Sequence, residues 1–229
     1  MMNISDNLQA VRHRIAAAAH ACGRDPASIS LLAVSKTKPD ADILAAAAAG
    51  QRAFGENYVQ EGCDKAERLT AAGHALDWHF IGPIQSNKTR PVATWFDWVH
   101  AIDREKIAQR LSEQRPIDKR PLCICIQVNV SGEASKSGVT PADVRALADA
   151  VARLPRLKLR GLMAIPEPTD DVVLQRQRFA HLRQVLEELN AAGHDLDTLS
   201  MGMSQDLEAA IAEGATIVRV GSALFGARV

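Results

Sequence analysis

The chain has 229 residues, 47% of them hydrophobic, and its 27 Lys plus Arg balance 27 Asp plus Glu. That balance excludes the broad basic footprint of a nucleic-acid binder, and a chain of this length can bury a core without disulfides or a structural metal. The four cysteines (Cys22, Cys63, Cys123, Cys125) form no CxxC pair and interleave with no histidines at ligand spacing, which excludes a zinc framework and fits free thiols in a reducing compartment.

Asp6, Arg12, His13 and Arg14 interrupt the apolar positions of the N-terminus, so no export signal is expected, and no apolar run is long enough for a bilayer. The protein is expected to be soluble and cytoplasmic, with neither nucleic acid nor membrane as a partner. Ile4, Leu8, Val11, Ile15 and Ala18 recur at spacings of three and four, predicting an amphipathic helix closed by Gly23. A strand then runs through Leu31, Leu32, Ala33 and Val34 to Lys36. Helix is predicted over 40–49, strand over 51–55 and helix to about 71. The alternation continues with strands at 77–82 and 96–100, and with helices from 86 and over 104–114. The near-continuous apolar run at 122–130 reads as a strand covered on both faces. Thr140 followed by Pro141 opens the next helix. Strands at 157–164, 198–201 and 216–220 follow, separated by helices at 171–191 and 206–212.

Eight strands in strict alternation with helices imply a parallel sheet, and this chain length favours closure into a single (β/α)8 barrel (TIM barrel) over an open doubly wound sheet. One domain is expected over 1–229, with an extra N-terminal helix. Active sites of such barrels form at the C-terminal ends of the strands, and phosphate sites follow the last two. The polar residues collect there: Lys36 after the first strand, Glu56 and Asn57 after the second, Ser200 to Ser204 after the seventh, and Arg219 to Ser222 after the eighth.

Gly202 and Gly221 carry no Cβ and let backbone N–H groups approach an anion, while Ser204 stands before a helix and offers a hydroxyl. A lysine facing such a phosphate cradle suggests pyridoxal 5′-phosphate held as a Schiff base, with Lys36 as the amine; Lys38, two residues on, is an alternative from strand alternation alone. Arg219, on the strand that closes against the first, would keep a facing pyridine nitrogen unprotonated and so weaken the ring as an electron sink. His79, between Trp78 and Phe80, is as well explained by a core histidine as by a catalytic one. Lys136 lies in a polar loop, solvated by default and anion-binding in the sharper reading.

Leu32-Ala33-Val34-Ser35-Lys36-Thr37-Lys38-Pro39, Phe54-Gly55-Glu56-Asn57, Trp78-His79-Phe80-Ile81-Gly82, Leu199-Ser200-Met201-Gly202-Met203-Ser204 and Val218-Arg219-Val220-Gly221-Ser222 together resemble the pyridoxal phosphate homeostasis proteins, over essentially the whole chain. The resemblance implies an alanine-racemase N-terminal-like barrel with the cofactor on Lys36. It implies phosphate contacts from Ser204 and from Gly221 and Ser222, Arg219 at the pyridine nitrogen, and Val34, Asn57, His79 and Met201 as pocket walls. Lys136 matches a lysine linked to a secondary cofactor site. It further implies a carrier that buffers the cofactor or delivers it to apo-enzymes, and maintains vitamin B6 and amino-acid and keto-acid balance without established catalysis. Two other readings stand beside it: an amino-acid racemase using the same cofactor, and a phosphate-binding barrel with no pyridoxal. The chain ends at Val229, directly after the last strand, with no room for an alanine racemase's second domain; this favours the carrier, and a monomer is expected. No metal is expected.

Overall fold

The computed structural model describes residues 3–132 and 137–226. Eight strands, β1 (Ser30–Val34), β2 (Ala53–Glu56), β3 (Asp77–Phe80), β4 (Trp98–Ile102), β5 (Leu122–Gln127), β6 (Leu157–Met163), β7 (Thr198–Ser200) and β8 (Ile217–Val220), form a closed barrel in sequence order. All pairings are parallel, and the seam joins the two ends of the chain: Ser30 to Ala33 of β1 pair with Ile217 to Val220 of β8. The helices are α1 (Ile4–Ala21), α2 (Asp40–Ala48), α3 (Val59–Ala71), α4 (Thr89–Trp95), α5 (Glu105–Gln114), α6 (Val144–Ala152), α7 (Val172–Ala191), α8 (Leu207–Ala212) and α9 (Ser222–Phe225). The expected (β/α)8 barrel with an additional first helix is therefore the observed architecture.

α1 starts at Asn3, whose side chain accepts from the Ser5 N–H at 3.0 Å, and buries Leu8, Val11, Ile15 and Ala19 along one stripe. That stripe packs on α8 and α9, beside the seam. The main core lies between barrel and helices, where Phe54, Trp78, Phe80, Phe96 and Phe179 are all but inaccessible. Inside the barrel the apolar contacts are small: Leu32, Ile81 and Ile217 form one group, and Ala101, Cys125 and Met163 another. The rest of the interior near the strands' C-terminal ends is polar, with His79, His100, Ser200 and Arg219 all buried. A barrel interior is ordinarily filled by branched apolar side chains, so this polar layer marks the end where chemistry is placed.

The strands end earlier than the hydrophobic runs suggest. β1 stops at Val34, because Ser35 to Lys38 form a turn in which the Ser35 carbonyl accepts from the Lys38 N–H at 3.0 Å. β5 stops at Gln127, leaving Val128 in a single bridge to Val139. Among the described residues no helix is long and apolar enough to cross a membrane, and no group of three His, Cys, Asp or Glu side chains is arranged to hold a metal.

Candidate functional site

A cavity of about 440 Å3 opens at the C-terminal ends of β1, β2, β3, β6, β7 and β8. Of the residues singled out in the sequence, it brings together Val34, Lys36, Asn57, Ser204, Arg219, Gly221 and Ser222; Lys38 also reaches its wall. A smaller cavity between α1 and the other end of the barrel is lined by Arg12 and Gln51. Both have committed donors, Arg12 to the Ala49 and Gly50 carbonyls and Gln51 to those of Leu31 and Ala53.

Lys36 is half-buried at the second position of the turn that ends β1. Thr37, the third, has φ +63°, the left-handed region that glycine or asparagine normally occupies; a threonine there costs roughly 1 to 3 kcal/mol. The turn is held from α3. The Lys65 ammonium, nearly inaccessible, donates to the Ser35 carbonyl (2.8 Å), to Glu56 Oε1 (2.9 Å) and to Glu61 Oε1 (2.6 Å). The Ser35 hydroxyl donates to Glu56 Oε1 (2.7 Å), and the Thr37 N–H donates to Glu61 Oε1 (2.6 Å). Burial pushes the Glu56 carboxyl above its usual range, and the Lys65 charge and the Ser35 hydroxyl pull the other way. Glu56 therefore belongs to this support on the outer side of β2, whereas Asn57, next in sequence, faces the cavity.

Across the cavity, β8 brings Arg219 through the barrel wall. Its Nη1 donates to the Ser200 carbonyl (2.6 Å) and hydroxyl (2.8 Å), and its Nη2 donates to the Ala164 carbonyl (2.8 Å). Burial holds the guanidinium down to about 10, which still leaves it charged at neutral pH. A surface salt bridge for Arg219 is thereby excluded. Ser200 Oγ lies 2.7 Å from His100 Nδ1, and His100 Nε2 lies 2.9 Å from His79 Nδ1. An arginine only donates, so the Ser200 hydroxyl is left to donate to His100, which in turn donates to His79. Desolvation keeps both imidazoles neutral, His79 down to about 3 and His100 well below its usual value.

Two expected pocket walls are corrected. His79 is not among the cavity-lining residues; it is stacked on Trp98 inside the barrel and reaches the cavity only through His100, Ser200 and Arg219. Met201 is fully buried in the core between barrel and helices, and Met203 lines the cavity in its place. The cause is strand parity: Ser200 points into the barrel, so its neighbour points out. Gly202 also differs from expectation. Its φ is +91° and a Cβ would lie 2.5 Å from Ala210 Cβ, so it lets α8 approach and does not line the cavity. Gly221 does line it, and a Cβ there would press on the Val34 carbonyl at 3.3 Å. Ser204 is not a helix cap; that position is Asp206, whose Oδ1 accepts from the Met203 N–H at 2.5 Å. Lys136 lies outside the described residues. Sequence reading missed Glu61, Lys65, His100 and Met203. Only the spacing of four between Glu61 and Lys65 offered a signal, and it reads as a solvated surface pair.

The sequence model of the alanine racemase N-terminal domain family matches residues 7–229. A pyridoxal phosphate homeostasis protein of Pseudomonas aeruginosa is 63% identical over 228 residues, covering 100% of this chain and 97% of its own. That of Escherichia coli K12 is 55% identical over 229 residues, covering 100% and 98%. The chain belongs to the pyridoxal phosphate homeostasis protein family. Among solved structures, PipY of Synechococcus elongatus with the cofactor bound matches this family member with TM-score 0.83 at 38% identity, over 97% of this chain and 100% of PipY. Alanine racemase of Corynebacterium glutamicum shares the family's barrel alone, with TM-score 0.72 at 18% identity over 96% of this chain and 62% of the racemase.

Three observations test whether the cavity fits pyridoxal 5′-phosphate. Asn57 Oδ1 is buried and accepts no hydrogen bond, so it suits a group that brings a donor. Gly221 leaves open the approach that a Cβ would narrow. Arg219 donates to three carbonyl and hydroxyl oxygens, forms no ion pair with a carboxylate among the described residues, and still lines the cavity. An anionic, aromatic aldehyde suits that set of groups.

Proposed function

We propose that the chain binds pyridoxal 5′-phosphate in this cavity and serves to hold and hand on the cofactor in vitamin B6 homeostasis. The observation that carries the reading is the sharing of one cavity by the Lys36 amine, the Arg219 cation and the Gly221 to Ser222 turn. The names of the relatives and the cofactor bound to PipY support it.

When bound, the cofactor supplies an aldehyde that condenses with a primary amine, releasing water, and a ring that withdraws electrons when its nitrogen is protonated. Lys36 is the amine. Ser204 and the Gly221 to Ser222 turn would hold the phosphate. Asn57 and Val34 would bound the ring on the β1 and β2 side. Arg219 would donate to the ring nitrogen, and because a guanidinium does not give up its proton at neutral pH, the nitrogen would stay unprotonated. That arrangement opposes turnover. The chain's one tyrosine, Tyr58, is half exposed and does not line the cavity, and Lys38 Nζ donates to the Phe225 carbonyl at 3.0 Å. Both observations support a carrier over a racemase.

The test is the visible spectrum of wild type and Lys36→Ala, with and without borohydride, followed by peptide mapping. A band bleached by borohydride, mapped to residue 36 and absent from the variant, is expected. A protein that stays colourless after incubation with the cofactor would sink the reading in favour of a plain phosphate site. Sustained α-proton exchange of an amino acid, lost in Lys36→Ala, would replace the carrier with a racemase. For delivery, reactivation of an apo-enzyme should outpace free cofactor at matched free concentration.

A further inference from the structure

The turn that presents Lys36 is not self-sufficient. Thr37 occupies the left-handed region without being glycine or asparagine, so a relaxed chain would leave that conformation and swing the preceding side chain with it. One carboxylate opposes this. Glu61 Oε1 accepts the Thr37 N–H at 2.6 Å, immediately after Lys36, and the same oxygen accepts from Lys65 Nζ at 2.6 Å. Lys65 in turn holds the Ser35 carbonyl, immediately before Lys36, at 2.8 Å. Both peptide groups flanking Lys36 are thus tied to one turn of α3, and neither Glu61 nor Lys65 lines the cavity. Glu61 is partly exposed, whereas Lys65 and Glu56 are buried, so Glu61 is the member that can be changed without leaving a buried charge unpaired.

We propose that Glu61 is a positioning residue for Lys36: acting through the Thr37 N–H, it locks the strained turn so that the amine is already aimed when an aldehyde arrives. This rests on the reading that Lys36 takes the aldehyde of pyridoxal 5′-phosphate. It separates two functions of the cavity, since phosphate and ring contacts would come from the ends of β1, β2, β7 and β8 while the aim of the amine comes from α3.

The experiment follows the rate at which pyridoxal 5′-phosphate forms a borohydride-trappable bond at residue 36, in wild type, Glu61→Ala, Glu61→Asp and Glu61→Gln. In parallel it measures the affinity for pyridoxine 5′-phosphate, which carries an alcohol in place of the aldehyde. Glu61→Ala, and Glu61→Asp with its carboxylate withdrawn by one methylene, are expected to slow bond formation roughly ten-fold or more while leaving the affinity within about two-fold. Glu61→Gln keeps an oxygen that accepts the Thr37 N–H and is expected to recover most of the rate. Equal rates in wild type and Glu61→Ala, or a Gln variant as slow as Ala, would overturn the proposal. Parallel loss of rate and alcohol affinity would overturn it too, by showing a general structural role. Absence of any trapped bond in wild type would instead remove the cofactor reading on which it rests.

Discussion

Arg219 does two jobs with one planar group, presenting a cation to the cavity and closing the floor beneath it through Ser200 and Ala164. Arg219→Leu removes the guanidinium from three buried oxygens, of which the Ser200 carbonyl keeps the Ala164 N–H, and is expected to cost about 1 to 3 kcal/mol of stability, measured by urea titration. A midpoint equal to wild type would show that the floor repairs itself. The histidines beneath carry a pH signature. His79 is held down to about 3 by burial, and His100 is lowered in the same direction. Below the ordinary value of 6.5 the unfolded chain takes up protons that the folded chain refuses. The His79 contribution to stability is therefore complete above that value and falls as the pH drops towards 3, by about 1.4 kcal/mol per pH unit, and His100 acts in the same direction. His79→Leu is expected to make the unfolding free energy fall less steeply with pH in that window, read from urea titrations at several pH values.

At the scale of elements, the close contact of β7, α8 and β8 depends on one position. Gly202→Ala would place a methyl 2.5 Å from Ala210 Cβ on a backbone at φ +91°, and is expected to destabilise by about 1 to 3 kcal/mol. Differential scanning calorimetry would register the loss; an unchanged Tm would mean that α8 slides freely on the barrel. The same region shows what sequence can and cannot convey. Hydrophobic runs bounded by Gly and Pro located all eight strands and hence the end of the barrel where Lys36, Arg219 and the Gly221 turn gather. A run does not reveal where the ladder stops, so β1 was expected to reach Lys36; β7, only three residues long, gave no parity to show that Met201 faces away from the cavity, nor that the turn at Gly202 brings Met203 round to it. Glu61 and Lys65 were hidden for a different reason. A charged pair one helical turn apart looks the same whether water or the underside of a turn receives it, and only the approach of β1 makes the difference.

On the scale of the whole molecule, the barrel closes where β1 meets β8, and α1 lies over that junction. Leu8→Ala in α1 is expected to cost about 2 to 5 kcal/mol, read from urea unfolding, because Leu8 is wholly buried there. Ligand occupancy should act at the same place. Pyridoxal 5′-phosphate at about a hundred-fold excess over Kd is expected to add about 2.7 kcal/mol, and to raise Tm by several degrees in wild type more than in Lys36→Ala. The strands carrying Lys36 and Gly221 are neighbours in space and lie at opposite ends of the chain, with Ala33 beside Val220. During synthesis, the first half of the pocket must wait for nearly the entire polypeptide before its other half exists. A chain clipped just ahead of Gly221 would keep the lysine and lose the turn that faces it, so the two walls of the cavity come together only once β8 has closed on β1.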